Sequence, residues 1–258
     1  MSTKRNAKPL QKEDVKPVNR TTSTKTSEPR LFNLQNINID LKCKNETQKE
    51  LVKLISTHDI VVCSGSAGTG KTFIACAQSL RLLKTEKYKR IMLVKSVTEL
   101  EGESVGYIKG SLDEKMYNYT LSFLDNFHKL IGEENTKRMV DMKMIEVLPL
   151  AYIRGRSIDD SIIIVDEVQN LVKKNIITTL TRIGNNSKII FCGDSDQVDL
   201  PKGKISGLTW FSKIAESIPE FGVLNFTEKD IVRNPIIKLF LDKVKEFDNE
   251  QPNDKKNQ

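Results

Sequence analysis

A short glycine-rich segment constrains the fold of this chain more than any other feature. Residues 65–72 read Gly-Ser-Ala-Gly-Thr-Gly-Lys-Thr, and they follow the apolar run 60–63, which predicts a buried strand. The glycines allow a tight turn whose backbone N–H groups point at phosphate oxygens, and a following helix presents its positive N-terminal end to the same anion. Residues 71–84 predict that helix, because their apolar side chains recur on one face. The segment therefore predicts a strand, a phosphate-binding loop (P-loop) and a helix, in that order.

A bound nucleoside triphosphate is the expected ligand of this loop. We expect its backbone to hold the phosphates, the Lys71 ammonium to reach the outer phosphates, and the Thr72 hydroxyl to bind Mg²⁺. The predicted nucleotide-binding residues are Gly65, Ser66, Ala67, Gly68, Thr69, Gly70, Lys71 and Thr72.

Length and composition favour one domain in the cytoplasm. The 258 residues contain no apolar run near the roughly 20 residues that span a bilayer, and Met1 begins no secretory signal. We therefore expect a soluble, intracellular protein without membrane association. The four cysteines (Cys43, Cys63, Cys76 and Cys192) form no C-x-x-C pair, and three lie in apolar patterns, so they are predicted to be core residues rather than metal ligands.

The net charge of +7 is concentrated at the N-terminus. Residues 1–30 hold eight Lys and Arg against three Asp and Glu, whereas the rest of the chain holds 33 against 31. We predict a disordered basic tail at 1–30, a P-loop ATPase domain at 31–247 and a disordered polar tail at 248–258. The basic tail can contact phosphate backbones, although a simple solvated extension is the commoner meaning of such a segment.

Short apolar runs alternate with helical patterns through the domain, which predicts an α/β fold. We expect a mostly parallel sheet with helices on both faces. Residues 111–141 predict an amphipathic helix pair or a bent helix. Asn234-Pro235 predicts the start of a last helix, whose apolar face is expected to close the core. The predicted strands lie at about 59–63, 90–95, 144–148, 161–165, 188–192 and 222–226.

The predicted strand 162–165 runs directly into Asp166 and Glu167, which is the layout of a Walker B strand. Ligands bind at the carboxyl edge of open α/β sheets. Asp166 is therefore expected to hold Mg²⁺ opposite Thr72, and Glu167 to orient or polarise an attacking water. Such a second acid favours hydrolysis over phosphate transfer to a small molecule. An exposed strand end is the alternative interpretation.

Two glutamines are further candidates. Gln197 follows the next predicted strand, and its amide can bridge the γ-phosphate and the attacking water. Gln48 lies 23 residues before Lys71, where an amide can pair with the adenine edge and select ATP over GTP, although a surface glutamine is the ordinary explanation.

These motifs, in this order, resemble the PhoH family of P-loop ATPases, which is related to the cores of superfamily one helicases. The resemblance covers residues 35–245 and implies a RecA-like P-loop NTPase core in a minimal, single-domain form. Besides the two nucleotide motifs, it rests on Leu148-Pro149-Leu150-Ala151-Tyr152-Ile153-Arg154-Gly155-Arg156, Thr181-Arg182-Ile183-Gly184, Gly193-Asp194 through Gln197-Val198-Asp199-Leu200-Pro201, Ser206-Gly207-Leu208 and Ile231-Val232-Arg233-Asn234-Pro235.

Some positions depart from the family pattern. Ser66 stands where proline is usual, Lys95-Ser96 where arginine-proline is usual, and Asn234 where histidine is usual. None of these changes removes a phosphate or metal ligand. Lys95 keeps the positive charge without the bidentate guanidinium fork.

Hydrolysis also needs a cation near the γ-phosphate, and two-lobed helicases take it from a second lobe that this chain lacks. We therefore expect a homo-oligomer, such as a hexameric ring, in which an arginine of one subunit reaches the next subunit's ATP. Arg154 and Arg156 are the leading candidates, with Arg182 and Arg233 behind them; a structural ion pair is the alternative for each.

Three functions remain open from the sequence. The first is an ATP-driven motor or helicase acting on single-stranded RNA or DNA, for which Arg154-Gly155-Arg156 and the basic tail are the only positive clusters and no aromatic-interleaved basic surface is visible. The second is an oligomeric ATPase switch that engages protein partners without moving on nucleic acid. The third, ranked last, is a small-molecule phosphotransferase.

Overall fold

The computed structural model describes residues 32–95, 112–194, 197–200 and 203–232, with Ile236, Leu239, Phe240 and residues 243, 244, 246 and 247 beyond them. At 95, 112–120 and 122 only the backbone is described. The predicted tails, 1–30 and 248–258, lie outside the described residues. The described residues from Asn33 onward belong to one compact unit.

Helices and strands alternate along this unit. The strands are β1 (Ile60–Ser64), β2 (Arg90–Lys95), β3 (Ile145–Pro149), β4 (Ser161–Asp166), β5 (Lys188–Gly193) and β6 (Phe221–Asn225). The helices are α1 (Glu46–Thr57), α2 (Lys71–Leu83), α3 (Leu112–Ile131), α4 (Glu133–Asp141), α5 (Lys173–Leu180) and α6 (Leu208–Glu216). Each strand lies within one or two residues of its predicted position, and α3 and α4 confirm the predicted helix pair.

The six strands form one sheet in the order β3-β2-β4-β5-β1-β6, and every neighbouring pair is parallel. The central strands are buried along nearly their whole length, because helices cover both faces of the sheet. On one face Val62, Ile163 and Phe191 pack with α5 and α6, where the Phe191 and Phe211 rings meet edge to face at 4.9 Å. Strand side chains alternate in direction, so Val61 and Cys63 face the other side, which α1 and α2 cover.

The cysteine prediction is confirmed for the three residues in apolar patterns. Cys63, Cys76 and Cys192 are buried, and Cys43 is partly exposed. Burial raises the pKa of the Cys76 thiol, and a hydrogen bond with Cys63 together with burial raises the pKa of Cys192. The thiols of Cys76 and Cys192 therefore stay protonated in the core.

The prediction that the last helix closes the core is wrong for the residues that the structure describes. Ile236, Leu239, Phe240, Val244 and Phe247 are helical, but their exposed fractions range from 39% to 67%. Helical periodicity of apolar residues predicts an apolar face, but it does not predict which part of the protein packs against that face. Ile237 and Leu241 lie outside the described residues.

No helix in the described part of the chain has both the length and the apolar character to cross a bilayer.

Candidate functional site

The predicted loop lies at the carboxyl edge of the sheet, between β1 and α2. Strand β5 separates β1 from β4, so the carboxyl ends of these three strands meet beside the loop. A cavity of about 270 Å³ opens there, and its lining includes Gly68, Lys71, Asp166, Glu167 and Gln197. The sheet therefore brings the phosphate loop, the Walker B acids and the predicted glutamine to one site.

Backbone geometry explains why the loop needs glycine. Gly65, Gly68 and Gly70 have φ angles of 136°, 84° and 88°, values that residues with a side chain rarely adopt. Gly65 is also too close to its neighbour for any side chain, because a Cβ atom there would lie 2.5 Å from the carbonyl oxygen of Phe226.

Lys71 begins α2 and turns back onto its own loop. Its ammonium donates to the carbonyl oxygens of Gly65 at 2.6 Å and Ser66 at 3.0 Å, and lies 3.4 Å from the Thr69 hydroxyl. Only 8% of the residue is exposed. The lysine charge is thus held inside the loop by groups that a phosphate oxygen can replace.

Thr72 and Asp166 meet as the sequence predicts. The Thr72 hydroxyl donates to Asp166 Oδ1 at 2.9 Å, across 94 positions of sequence. A hydroxyl and a carboxylate oxygen are the hard ligands that Mg²⁺ prefers. This donor set fits a Mg²⁺ ion shared between α2 and β4.

Glu167 occupies a strained turn directly after β4. Its φ of 55° and ψ of 42° are left-handed values, which are uncommon for a residue other than glycine and are a recurring feature of functional sites. The surrounding structure must compensate for this conformation.

Gln169, which the sequence interpretation did not include, holds Glu167 in place. Its Nε2 donates to Glu167 Oε2 at 2.6 Å, and its Oε1 accepts the backbone N–H of Asp194 at 2.8 Å. The side chain is only 1% exposed, so both bonds are sheltered from water. Its position three residues after the end of a buried strand, beside the acid pair, was the available signal.

Charge at the cavity favours a bound cation. Three carboxylates (Asp166, Glu167 and Asp194) and one ammonium (Lys71) are among the side chains that line it. A triphosphate entering alone would meet net negative charge, which a divalent cation offsets.

The two predicted glutamines have different settings. Gln197 is exposed at the mouth of the cavity, where its role toward the γ-phosphate stays a prediction. Gln48 is buried, accepts the Lys44 N–H at 2.7 Å and donates to the Thr69 carbonyl at 2.8 Å. It therefore braces the loop against α1, while its contact with adenine stays a prediction.

A second structural feature of the loop, also missed, is a clasp formed by the segment after β6. The Phe226 N–H donates to the Ser64 carbonyl at 2.7 Å, and the Val232 N–H donates to the Gly68 carbonyl at 2.9 Å. Between them, the Asp230 carboxylate accepts the Thr47 hydroxyl at 2.7 Å and the Thr227 N–H at 2.8 Å. Residues 226–232 thus tie the phosphate loop to the start of α1.

Asp230→Asn is expected to lower the free energy of unfolding by about 1–3 kcal/mol at pH 7, because it weakens hydrogen bonds to a buried charge. Burial raises the pKa of Asp230, but the Thr227 N–H and the Thr47 and Thr227 hydroxyls outweigh it and bring the pKa below its ordinary 3.8. The carboxylate therefore stabilises the fold above pH 3.8, and this contribution is lost as pH falls through the lower folded value.

Urea unfolding of the Asp230→Asn variant at several pH values measures this effect. The difference from wild type should shrink as the pH falls toward 3. Asp40→Asn, which alters an exposed carboxylate, is the matched control and should change stability by less than about 0.5 kcal/mol. A difference that stays constant with pH would contradict the assignment.

Two of the candidate arginines, Arg154 and Arg156, lie several strands away from the loop along the sheet. Arg154 and Arg156 follow β3, which β2, β4 and β5 separate from β1, so the ends of β3 and β1 are about 19 Å apart at ordinary strand spacing. Arg154 and Arg156 are exposed, and among the described residues neither they nor Arg182 forms an ion pair. Arg233 and the Lys95 side chain lie outside the described residues.

Three features define a P-loop NTPase with a RecA-like core: the parallel sheet, the glycine loop after β1, and the acid pair at the end of β4. Strand β5 lies between β1 and β4. A family model described as PhoH-like protein matches residues 40–245. The chain belongs to this PhoH-like family.

Curated relatives support the same assignment. The chain is 36% identical over 202 residues to a PhoH-like protein of Bacillus subtilis (strain 168), covering 78% of this chain and 63% of that protein. It is 30% identical over 200 residues to Protein PhoH of Escherichia coli (strain K12), covering 77% of this chain and 56% of that protein. The chain thus spans less than two thirds of the length of these relatives.

Solved structures resemble the chain more distantly. The ATPase core of a Sulfolobus solfataricus SWI2/SNF2 protein in complex with dsDNA matches with a TM-score of 0.45 and 14% identity, over 76% of this chain and 47% of that one. The large terminase of a thermophilic bacteriophage matches with a TM-score of 0.44 and 12% identity, over 73% of this chain and 47% of that one. Likeness at this level carries no argument about activity.

Proposed function

We propose that this chain is a Mg²⁺-dependent ATPase that works as a homo-oligomer on RNA or another nucleic acid. The observation that carries the proposal is the convergence of Lys71, the Thr72–Asp166 pair and the Glu167–Gln169 pair on one cavity at the sheet edge. Phosphate-binding, metal-binding and water-orienting groups are the parts that hydrolysis requires.

Binding begins at the loop. The triphosphate takes the backbone N–H groups of residues 65–70, and the Lys71 ammonium leaves the Gly65 and Ser66 carbonyls for phosphate oxygens. Thr72 and Asp166 would hold Mg²⁺, which when bound neutralises phosphate charge.

Hydrolysis then depends on how Glu167 meets water. Its carboxylate, oriented by Gln169, accepts a hydrogen bond from a water in line with the γ-phosphate and takes its proton as the water attacks. Gln197, at the cavity mouth, bridges that water and a phosphate oxygen. The water attacks phosphorus, the bond to the β–γ bridging oxygen breaks, and ADP and phosphate leave.

Preference for ATP over GTP would rest on Gln48. Its amide has one further donor and one further acceptor position beyond the two backbone bonds it makes, and adenine offers the complementary pair. A shift of α1 would be needed to expose the amide, because the residue is 4% exposed.

Two observations support an oligomer. The arginine-bearing segment after β3 lies about four strand spacings from the loop of the same chain, which favours its use by a neighbouring subunit. The exposed apolar residues Leu239, Phe240, Val244 and Phe247 are a surface of the kind that subunit contacts bury.

Phosphate release by the purified chain tests the proposal. We expect turnover of ATP with Mg²⁺, its loss with a chelator, slower turnover of GTP, and salt-dependent stimulation by single-stranded RNA. Mass in solution, with and without an ATP analogue, tests the oligomer. Lys71→Ala is the control for contaminating ATPase. Turnover that survives Lys71→Ala, or that needs no divalent cation, would overturn the proposal.

An oligomeric ATPase switch that engages protein partners is the second candidate, because the exposed apolar helical residues between 239 and 247 suit a contact with another protein as well as one between subunits. It predicts ATP turnover that RNA does not change at any salt concentration. A phosphotransferase ranks below both, because Glu167 has no evident use there; it predicts ADP release only when an acceptor is added.

A further inference from the structure

Two segments that are distant in sequence carry cations and no acidic residue, while Asp159 and Asp160 border the first and accept hydrogen bonds from Asn185 and Asn186 of the second. Residues 150–158 and 168–187 contain no Asp or Glu, although residues 31–258 as a whole are nearly neutral, with 33 Lys and Arg against 31 Asp and Glu. The cations in these two segments are Arg154, Arg156, Lys173, Lys174 and Arg182. The sequence interpretation recognised only the first two as a cluster.

The fold joins the two segments into one surface. Arg154 Nη2 donates to Asn175 Oδ1 at 3.4 Å, and Arg182 Nη1 donates to the Arg156 carbonyl at 3.5 Å. Ile158 donates its N–H to the Arg182 carbonyl at 2.9 Å, which ties the segments at the backbone. We call residues 150–158 with residues 168–187 the basic surface.

The cations of the basic surface are available to a ligand. None of them forms an ion pair with another described residue, whereas nine such pairs involve other parts of the described chain. Lys173 and Lys174 are exposed at the start of α5. Arginines and lysines that no neighbouring carboxylate neutralises attract a polyanion.

Aromatic side chains lie among these charges, contrary to the expectation from the sequence. Tyr152, two residues before Arg154, is 51% exposed. The Lys173 ammonium lies 5.2 Å from the centre of the partly buried Trp210 ring. An exposed aromatic ring beside phosphate-binding cations is the arrangement on which unpaired bases stack.

The basic surface is also connected along the backbone to the candidate site. Glu167 is followed by a 3-10 turn at Val168–Asn170 and then by α5, so six positions separate Glu167 from Lys173. A ligand that moves α5 would therefore act on the backbone that holds Glu167 and Gln169.

We propose that the basic surface binds single-stranded nucleic acid, with Lys173 and Lys174 on the phosphates and Tyr152 stacked on a base. This inference rests on the proposed ATPase function and assigns the face on which the polynucleotide lies. Tyr152 favours nucleic acid over an acidic protein, because a peptide polyanion gains little from a stacking platform. Arg154 and Arg156 are left unchanged in the test, so that their role in hydrolysis does not enter it.

Fluorescence anisotropy of the full chain with labelled 20-nucleotide oligouridine, and with oligothymidine of the same length, tests this proposal. Lys173→Ala/Lys174→Ala should weaken binding of both and reduce the slope of log Kd against log salt by about 1.4, or 0.7 for each lost phosphate contact. Tyr152→Ala should weaken binding by about fivefold or more with the slope unchanged.

Lys129→Ala/Lys137→Ala removes the same charge from exposed positions on α3 and α4, and it should bind as wild type does. Thermal unfolding of each variant reports whether the fold is retained. Wild-type affinity and slope in both basic-surface variants would overturn the proposal. If polyglutamate displaces the labelled oligonucleotide as well as unlabelled RNA does, and Tyr152→Ala has no effect, the surface would be assigned to an acidic protein instead. If the wild-type chain hydrolyses ATP but binds neither oligonucleotide, the nucleic-acid part of the proposed function fails as well.

Discussion

Glu167→Gln is expected to reduce the kcat of ATP hydrolysis by about 10²–10⁴, the range typical of a removed general base. The amide cannot take a proton from water, yet it keeps the size of the side chain and an oxygen that can accept a hydrogen bond. Lys71, Thr72 and Asp166 are unchanged, so ATP should remain bound. Single-turnover hydrolysis and the Kd of a fluorescent ATP analogue measure the two effects separately.

Gln169→Ala provides the graded comparison for this prediction. It leaves the Glu167 carboxylate in place and removes the 2.6 Å hydrogen bond that orients it. We expect a smaller loss, about tenfold in kcat, which corresponds to about 1.4 kcal/mol. Equal activity of Glu167→Gln and wild type would remove Glu167 from the mechanism, and a larger loss for Gln169→Ala than for Glu167→Gln would contradict the order of roles.

The second large effect is expected at the arginines after β3. If Arg154 or Arg156 completes a neighbouring subunit's site, its replacement by alanine should lower kcat by about 10³–10⁵, the range for an arginine finger. The physical reason is the loss of a cation against the charge that develops on the γ-phosphate. Steady-state ATP turnover measures this effect, with Arg182→Ala and Arg233→Ala compared alongside.

Mixed oligomers distinguish a neighbour's arginine from one that acts within its own chain. Glu167→Gln subunits keep the arginines, and arginine-variant subunits keep Glu167. In an equal mixture about one interface in four combines both intact groups, so activity should reappear on mixing. Mixtures that stay inactive would exclude action between subunits, and intact turnover in all four single arginine variants would end the arginine hypothesis.

Local patterns in the sequence predicted most of the fold. Apolar runs such as 162–165 are predicted to be strands because they are too short for a buried helix, and a parallel sheet covered on both faces buries every residue of such a run. The loop 65–70 was equally predictable, since its glycines adopt φ angles that other residues avoid. The order of the strands in the sheet was not predictable, because it depends on pairing between segments that are distant in the sequence.

The residues that the sequence interpretation missed act through long-range contacts. Asp230 meets Thr47 across 183 positions, and no periodicity links such a pair. The basic surface was missed for the same reason, since its two segments are each modest in charge until the fold joins them. The last helix shows the converse: its described residues between 236 and 247 are helical as predicted, but their apolar side chains are exposed instead of closing the core.

Three properties were determined by the sequence itself: the chemistry of the phosphate loop, the position of the Walker B acids after a strand, and membership of the PhoH-like family. Each depends on neighbouring residues and their backbone preferences. Only the tertiary structure decided that Gln169 positions Glu167, that residues 226–232 clasp the loop, and that five separated cations share one surface with Tyr152. These features are distances between segments, and such distances exist only once the hydrophobic sheet and its helices have packed.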